Sequence, residues 1–331
     1  MSSKPTVLSG IQSSGSLHLG NYLGAIKHWV ADQDKFNNFY MIADYHSITV
    51  MPDPDTLRER KKELIGMLLA CGLDPNKSVL FCQSNVPEHM ELSWILTCAC
   101  PIGWLERMTQ FKDKSKKIGD SDSVSAGLLM YPILQAADIL IYNANYVPIG
   151  EDQRQHVELT RDVAQRFNFR YGETLTIPEA LIRKTGARIM SLSNPDRKMS
   201  KSDEDTMSCL GLLDKPDELR LKVKRATTDS LREIVFDPER AGLYNLLTIY
   251  RELSGQTEEE IETHFTGKGY KHLKEELGDL VVNIFTPIQE RYAEITADPK
   301  TIPNVLAQGA EKARVVASKT VKDCRNAIGI D

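Results

Sequence analysis

The feature that most constrains the fold is an alternation of short apolar runs and helical patterns over the first half of the chain. Val7–Leu8 and the segments 37–50 and 77–84 are typical of buried strands, whereas residues 57–72 carry the pattern of a helix. Strands that alternate with helices predict an α/β domain built on a parallel sheet. Ligands bind beyond the carboxyl ends of the strands in such sheets, so the residues after each run are the first candidates for a site.

The second half of the chain has a different pattern. The strand pattern is lost after about Leu213, and from Leu243 onward the signals are helical. One helix face is predicted by Leu273, Leu277, Leu280 and Ile284, which step by four, three and four residues. Pro287 is expected to kink or end that helix. A further stripe runs along the tail: Leu306, Ala310, Ala313, Ala317, Val321, Cys324 and Ile328. We therefore expect an α/β domain followed by a helical one.

Composition limits the function classes. The 331 residues are 41% hydrophobic and 26% charged, with a net charge of −5, which argues against broad, non-specific nucleic-acid binding. Two basic runs, 111–117 and 218–230, are either solvated faces or local contacts to phosphate. No apolar run is long enough for a membrane span, and no secretory signal is evident. The six cysteines lack metal-ligand spacing, which favours thiols in a reducing cytoplasm.

Three polar segments are candidates for a site. The first is "SSGSLHLGN" (13–21), where the first strand turns into a helix. Such a turn is either an ordinary capped turn or a phosphate site, because the N–H groups at a helix start attract anions. The second is the exposed loop 191–208, in which Lys198 and Lys201 flank Met199–Ser200. These lysines are either surface charges or a mobile clamp for a polyphosphate.

The third candidate lies in residues 128–159. One helix face carries Tyr131, Gln135, Asp138 and Tyr142, at spacings of four, three and four. Asp138 stands among apolar residues, and burying its carboxylate costs several kcal/mol unless it is paired. It is either a structural residue bonded to a backbone N–H or an acceptor for a ligand's N–H or O–H. The acidic turn 151–153 that follows is either a helix cap or a holder of ribose hydroxyls.

Taken in order, "HLGN", "GEDQ" near residue 150 and "KMSKS" near residue 200 resemble the class I aminoacyl-tRNA synthetases. The likeness is closest to the bacterial and mitochondrial tryptophanyl-tRNA synthetase family and covers nearly the whole chain, including "YPILQAADIL" and "VPIGEDQRQHVELTRDVAQRFN". It implies a Rossmann-like catalytic domain at 1–205 with a KMSKS loop at 195–206. A helical anticodon-recognition domain is expected at 206–298, and at 299–331 a C-terminal helix that packs back on the catalytic domain.

The resemblance also implies a role for each matching residue. The catalytic residues would be His18, Asn21, Lys114, Lys198 and Lys201. The ATP site would consist of Gln12, Ser13, Ser14, Gly20, Asn21, Gly150, Glu151, Asp152, Ile189, Lys198, Met199, Ser200, Lys201 and Ser202. Asp138 would accept the indole N–H of tryptophan, and Tyr131 and Gln153 would hold its ammonium group. The tryptophan pocket would also include His46, Gln135 and Leu8. Mg²⁺ would arrive bound to ATP, without a dedicated protein cage.

The implied reaction joins L-tryptophan to ATP, releases pyrophosphate, and moves the tryptophanyl group to the 2′-hydroxyl of the terminal adenosine of tRNA(Trp). The family's members are homodimers, and Lys222, Lys224 and Arg225 would contact tRNA phosphates. Three alternatives stay open: a tyrosine-specific synthetase, which shares the spacing from Gln135 to Asp138; a nucleotidyl transferase with an "HxGH"-like turn; and a former synthetase that only binds an amino acid. Pyrophosphate exchange that depends on an added amino acid separates the enzyme from the binding protein.

Overall fold

The computed structural model describes residues 4–13, 15–118, 124–182, 188–200, 203 and 205–331. Five parallel strands form one sheet: β1 (Thr6–Ile11), β2 (Asn37–Ile42), β3 (Ser78–Cys82), β4 (Tyr146–Ile149) and β5 (Glu179–Ile182). Their order is β3-β2-β1-β4-β5. The predicted parallel α/β sheet is therefore confirmed. The strands are apolar runs because helices cover both faces of the sheet.

The helices of the α/β part begin and end as follows: α1 (Leu19–Asn21), α2 (Lys27–Ala31), α3 (Asp44–Ser47), α4 (Pro54–Ala70), α5 (Glu88–Ala99), α6 (Ile102–Glu106), α7 (Thr109–Ile118), α8 (Ala126–Leu140) and α9 (Arg154–Tyr171). A π-helical segment, Tyr22–Ile26, joins α1 to α2. The run 37–50 differs from the sequence expectation of one strand, because the strand stops at Ile42 and α3 follows it.

The later part is helical: α10 (Pro216–Arg225), α11 (Ala241–Ser254), α12 (Glu258–Phe265), α13 (Tyr270–Ala297) and α14 (Thr301–Ile328). Helix α13 does not end at Pro287 but continues for ten residues beyond it. Proline removes one backbone donor, and the buried Phe285 and Ile288 on either side hold this turn in the core. No helix of the described residues is long and apolar enough to cross a membrane.

Two apolar clusters cover the two faces of the sheet. One contains Tyr40 and Ile42 of β2 and continues into α4 and α10–α13. The other contains Phe39 and Met41, together with residues of α5, α8, α9 and α14. Helix α14 lies directly on β3, since a Cβ added to Gly309 would stand 1.8 Å from the Leu80 carbonyl oxygen. The domain boundaries at residues 205 and 298 stay predictions.

Candidate functional site

Polar residues follow four neighbouring strands at the carboxyl edge of the sheet. Gln12 and Ser13 come after β1, Asp44 after β2, Gln83 after β3 and the acidic turn 151–153 after β4. The chain order reverses between β1 and β4, which lie side by side in the middle of the sheet. A crevice for a ligand forms at this reversal in open α/β sheets. The fold thus places the sequence candidates around one crevice.

The most buried charge at this edge is the carboxylate of Asp138 on α8, which is 1% exposed. Its Oδ1 accepts hydrogen bonds from Gln83 Nε2 at 2.7 Å and His89 Nδ1 at 2.6 Å, and its Oδ2 lies 2.8 Å from His46 Nε2. Burial alone would raise the pKa of Asp138, but hydrogen bonds and charges from the two histidines outweigh it and lower that pKa to about 2. Asp138 is therefore ionised at neutral pH.

As a structural residue, Asp138 was expected to accept a hydrogen bond from a backbone N–H. The structure shows three side-chain partners instead. A carboxylate can accept about four hydrogen bonds, so an additional donor can still bind. The role of Asp138 as an acceptor for a ligand stays a prediction. Sequence reasoning missed Gln83 and His89, although Gln83 directly follows an apolar run, as other site candidates do.

Tyr131 precedes Asp138 by about two turns of α8. It lies beside His46, with ring centroids 6.3 Å apart. Its hydroxyl donates to Gln110 Oε1 at 3.1 Å and lies 2.9 Å from Nε2 of the buried His156. Burial raises the pKa of Tyr131 to about 12, so the hydroxyl keeps its proton at neutral pH. The phenol is thus held by two polar neighbours in a fixed position next to the Asp138 cluster.

A chain of hydrogen bonds connects α8 to the acidic turn after β4. Gln135 Nε2 donates to Gln153 Oε1 at 3.4 Å, and Gln153 Nε2 donates to Asp152 Oδ2 at 2.9 Å. Glu151 differs, because its carboxylate is bound by Arg154 at 2.6 Å. The structure thereby brings the predicted amino-acid residues and the predicted ribose residue Asp152 into one network.

The turn "HLGN" is tightly capped. His18 Nδ1 accepts the Gly20 N–H at 3.1 Å, and Asn21 Oδ1 accepts the His18 N–H at 3.1 Å, so both side chains satisfy the first amides of the helix. A Cβ on Gly20 would stand 2.9 Å from His18 Cε1 and 4.0 Å from Ile189 Cβ. Gly20 and Ile189, both predicted at the adenine, therefore face each other. The π-helical turn that follows is a local irregularity often found at functional sites.

The loop with "KMSKS" begins as a narrow hairpin. Met199 N–H donates to the Ile189 carbonyl at 3.0 Å, and Ser191 N–H donates to the Arg197 carbonyl at 2.8 Å. Met199 is buried in the core, whereas Lys198 beside it is exposed. The buried methionine anchors the loop and leaves the lysine directed away from the core.

Several predicted residues lie elsewhere or outside the described part. Ser14, Lys201 and Ser202, and the side chain of Lys114, are outside the described residues. Ser13 is 1% exposed, and its hydroxyl lies 3.2 Å from Ser47 Oγ, so it faces the protein interior. Gln12 is exposed, and Ser200 is partly exposed. Leu8 is a buried core residue of β1.

The expected phosphate contact at Lys222 is wrong. Lys222 is 5% exposed, and its ammonium group is paired with Asp214 at 2.6 Å and with Glu218 at 2.9 Å. Its neighbours on α10, Lys224 and Arg225, are exposed. Phosphate contacts at Lys224 and Arg225 therefore stay predictions, whereas the buried Lys222 is not available for one.

Comparison with known proteins decides the family. A family model described as tRNA synthetases class I (W and Y) matches residues 1–286. The chain is 51% identical over 327 residues to the tryptophan–tRNA ligase of Wolinella succinogenes, covering 99% of both chains. The chain belongs to the tryptophanyl-tRNA synthetase family. The resemblance found in the motifs is confirmed.

Solved structures of the family agree with the fold. The tryptophanyl-tRNA synthetase of Mycoplasma pneumoniae superimposes with a TM-score of 0.89 at 36% identity, covering 99% of this chain and 98% of that one. The synthetase of Campylobacter jejuni, solved with ADP and tryptophan, gives a TM-score of 0.85 at 38% identity, covering 98% and 99%. The Rossmann-like sheet and the helical region of the present chain are therefore those of the family.

Proposed function

We propose that this chain is a tryptophan–tRNA ligase. It joins L-tryptophan to ATP, releases pyrophosphate, and transfers the tryptophanyl group to the 2′-hydroxyl of the terminal adenosine of tRNA(Trp). The observation that carries the proposal is the ionised, nearly inaccessible carboxylate of Asp138, held by side chains that follow β2 and β3 at the carboxyl edge of the sheet. An acceptor in that position suits a flat apolar ligand with one N–H group, which is the indole of tryptophan.

Positioning dominates the first step. The carboxylate of tryptophan attacks the α-phosphorus of ATP in line, the bond to pyrophosphate breaks, and negative charge accumulates on the leaving group. Asp138 would accept the indole N–H, while Tyr131 and Gln153 would hold the ammonium group. His46 and Gln135 would line the pocket, with Leu8 at its wall. The network between α8 and the acidic turn supports this arrangement, because hydrogen bonds connect Gln135 through Gln153 to Asp152.

The ATP end would combine exposed groups, such as Gln12, Asp152 and Lys198, with buried residues of the turns that carry them. Gln12 and the turn at His18, Gly20 and Asn21 would face the phosphates and adenine, as would Ser13 and Ser14 through the loop that carries them. Ribose would be held by Gly150, Glu151 and Asp152, and adenine by Ile189. The charge of the leaving pyrophosphate would be stabilised by Lys114, Lys198 and Lys201, together with Met199, Ser200 and Ser202 of the loop. Each preorganised donor of this kind contributes about 3 kcal/mol to lowering the barrier.

Mg²⁺ would be held mainly by the phosphate oxygens of ATP. Among the residues that the structure describes, no group of three acidic, histidine or cysteine side chains could hold a metal ion by itself. Magnesium typically keeps several water and phosphate ligands and uses few protein ligands, which fits this arrangement. The ion supplies charge neutralisation when it is bound.

The remaining parts of the proposal concern partners. Helices α10–α13 would read the anticodon, with the exposed Lys224 and Arg225 near its phosphates. A homodimer would cover large apolar side chains that are exposed after β2 and on α5, including Met51 at 86% and Trp94 at 69% exposure. A cytoplasmic location is supported by the bacterial relatives and by six free cysteines.

The test is ATP–pyrophosphate exchange with tryptophan, tyrosine or phenylalanine. We expect exchange with tryptophan alone, followed by charging of tRNA(Trp). Exchange with tyrosine instead would contradict the substrate but keep the reaction, whereas no exchange with any of the three would favour a protein that only binds an amino acid.

A further inference from the structure

Asp138, His89 and Tyr142 form a buried chain of hydrogen bonds, called the relay below. His89 is completely buried, with Nδ1 2.6 Å from Asp138 Oδ1 and Nε2 2.7 Å from the Tyr142 hydroxyl oxygen. An ionised carboxylate only accepts hydrogen bonds, so Nδ1 of His89 is the donor. Nε2 of His89 shares a second hydrogen bond with the Tyr142 hydroxyl, and burial raises the pKa of Tyr142, which keeps the hydroxyl proton in place. The relay therefore keeps the Nδ1 proton of His89 directed at Asp138.

The two oxygens of the carboxylate have unequal surroundings. Within the part of the chain that the structure describes, Oδ1 receives two donors, Gln83 and His89, whereas Oδ2 has one hydrogen-bond partner, His46. Two donors on one oxygen fix both the position and the plane of the group. Oδ2 lies next to His46, whose ring contacts that of Tyr131. The oxygen with the greater remaining capacity is thus the one on the side of the predicted amino-acid pocket.

Stability alone does not account for the relay. Its surroundings are apolar: the Phe39 and Tyr142 rings stack with centroids 4.5 Å apart, and the Phe81 ring lies 6.1 Å from that of His89. Well-packed apolar residues in place of a buried charged group are often neutral or stabilising. A charged and hydrogen-bonded cluster in this core is therefore explained by the group that it holds in place, the carboxylate of Asp138.

We propose that His89 is a positioning residue for tryptophan specificity. Together with Tyr142 and Gln83 it anchors Oδ1 of Asp138, so that Oδ2 stays aimed at the indole N–H of the substrate. The inference rests on the proposed function, because it takes Asp138 as the group that reads the indole.

The experiment compares kcat/KM in ATP–pyrophosphate exchange for L-tryptophan and for its benzothiophene analogue, in which sulfur replaces the indole N–H. The preference for tryptophan reports the hydrogen bond to Asp138, since the two substrates have nearly the same shape. His89→Leu removes the donor, and we expect the preference to fall at least about tenfold, as for a lost hydrogen bond to a charged group. The KM for ATP should stay within about threefold. Tyr142→Phe should lower the preference in the same direction by a smaller factor.

Two further variants separate positioning from packing. His89→Asn keeps an N–H donor close to the Nδ1 position, and we expect it to restore most of the preference that His89→Leu loses. Tyr40→Phe is the matched control, because Tyr40 is also buried and donates its hydroxyl to the Trp29 carbonyl at 3.0 Å, on the opposite face of the sheet. This variant should lose a similar hydrogen bond yet keep the wild-type preference.

The outcomes distinguish the two levels of the proposal. A wild type without tryptophan-dependent exchange, or without preference for tryptophan over the analogue, would overturn the proposed function or the role of Asp138. A wild type with that preference, kept within about threefold by a folded His89→Leu, would overturn the positioning role alone. Should His89→Leu not fold, an unchanged preference in Tyr142→Phe would overturn it equally.

Discussion

Replacing Asp138 by asparagine tests the proposed hydrogen bond from the indole N–H of tryptophan, because the two side chains have nearly the same shape. The amide oxygen should take the place of Oδ1, because both Gln83 and His89 donate there. The amide NH₂ group then takes the place of Oδ2. His46 can adapt to this change by presenting a ring nitrogen that accepts. The indole N–H of tryptophan cannot, so a donor would face a donor.

The magnitude follows from the bond that is lost. A hydrogen bond to a charged group contributes about 1.5–3 kcal/mol, and an unmatched buried donor adds about 1–3 kcal/mol. We therefore expect kcat/KM for tryptophan in pyrophosphate exchange to fall by about two to four orders of magnitude. Discrimination against phenylalanine should fall in parallel, since phenylalanine has no donor to lose. The KM for ATP should change by less than about threefold, because none of the predicted ATP residues that the structure describes is a hydrogen-bond partner of Asp138.

Glu151→Gln is the matched control for the loss of one negative charge near the site. Its carboxylate is exposed and paired with Arg154, away from the Asp138 cluster. We expect this variant to retain the discrimination between tryptophan and phenylalanine. The reasoning would be refuted if Asp138→Asn, folded as the wild type is, discriminated equally well, or if its defect lay in the KM for ATP.

Three other predictions concern stability. The pKa of Asp138 is depressed to about 2 in the folded chain, so its carboxylate stabilises the fold above the ordinary carboxyl pKa, and this stabilisation is lost as pH falls from about 4 towards 2. In urea unfolding, the free energy of unfolding should fall less over this pH window for Asp138→Asn than for the wild type. Gly309→Ala should lower the free energy of unfolding by at least about 2 kcal/mol, because the new Cβ would overlap the Leu80 carbonyl; an unchanged denaturation midpoint would contradict this packing. Lys222→Met should lower it by about 3 kcal/mol, because Asp214 loses a buried partner, and a stabilised variant in chemical denaturation would show that the pair is not needed.

The sheet and the long helices could be predicted because their signals are local. Apolar runs and helical spacing are read within about 10–20 residues, and the resemblance supplied the site motifs. The burial of Lys222 could also have been predicted from the sequence, since the neighbouring apolar residues Leu219 and Val223 place it on the inward face of α10. Of the two expectations for Pro287, an end of α13 is wrong, because packing on both sides outweighs the loss of one backbone hydrogen bond, whereas a kink stays a prediction.

The partners of Asp138 could not be predicted in the same way. Gln83 and His89 lie 55 and 49 residues from it in the chain, and only the sheet order brings β3 and α5 next to α8. No local pattern distinguishes a histidine that serves such a contact from one in an ordinary core. The folded geometry is the only source of this part of the site.

The two ends of the candidate site differ in how they are built. The amino-acid end is largely buried and hydrogen-bonded: Asp138 and His89 are almost inaccessible, and Tyr131 is held by two polar neighbours. The predicted nucleotide end includes exposed charged groups, among them Asp152 and Lys198. A buried, bonded cluster can discriminate because its acceptor does not move to meet a poorer ligand. Exposed lysines, by contrast, can follow the charge as it shifts from ATP to pyrophosphate. Under the proposed roles, the acceptor for the indole is preformed in the folded chain, whereas stabilisation of the leaving group would come from exposed lysine side chains such as Lys198.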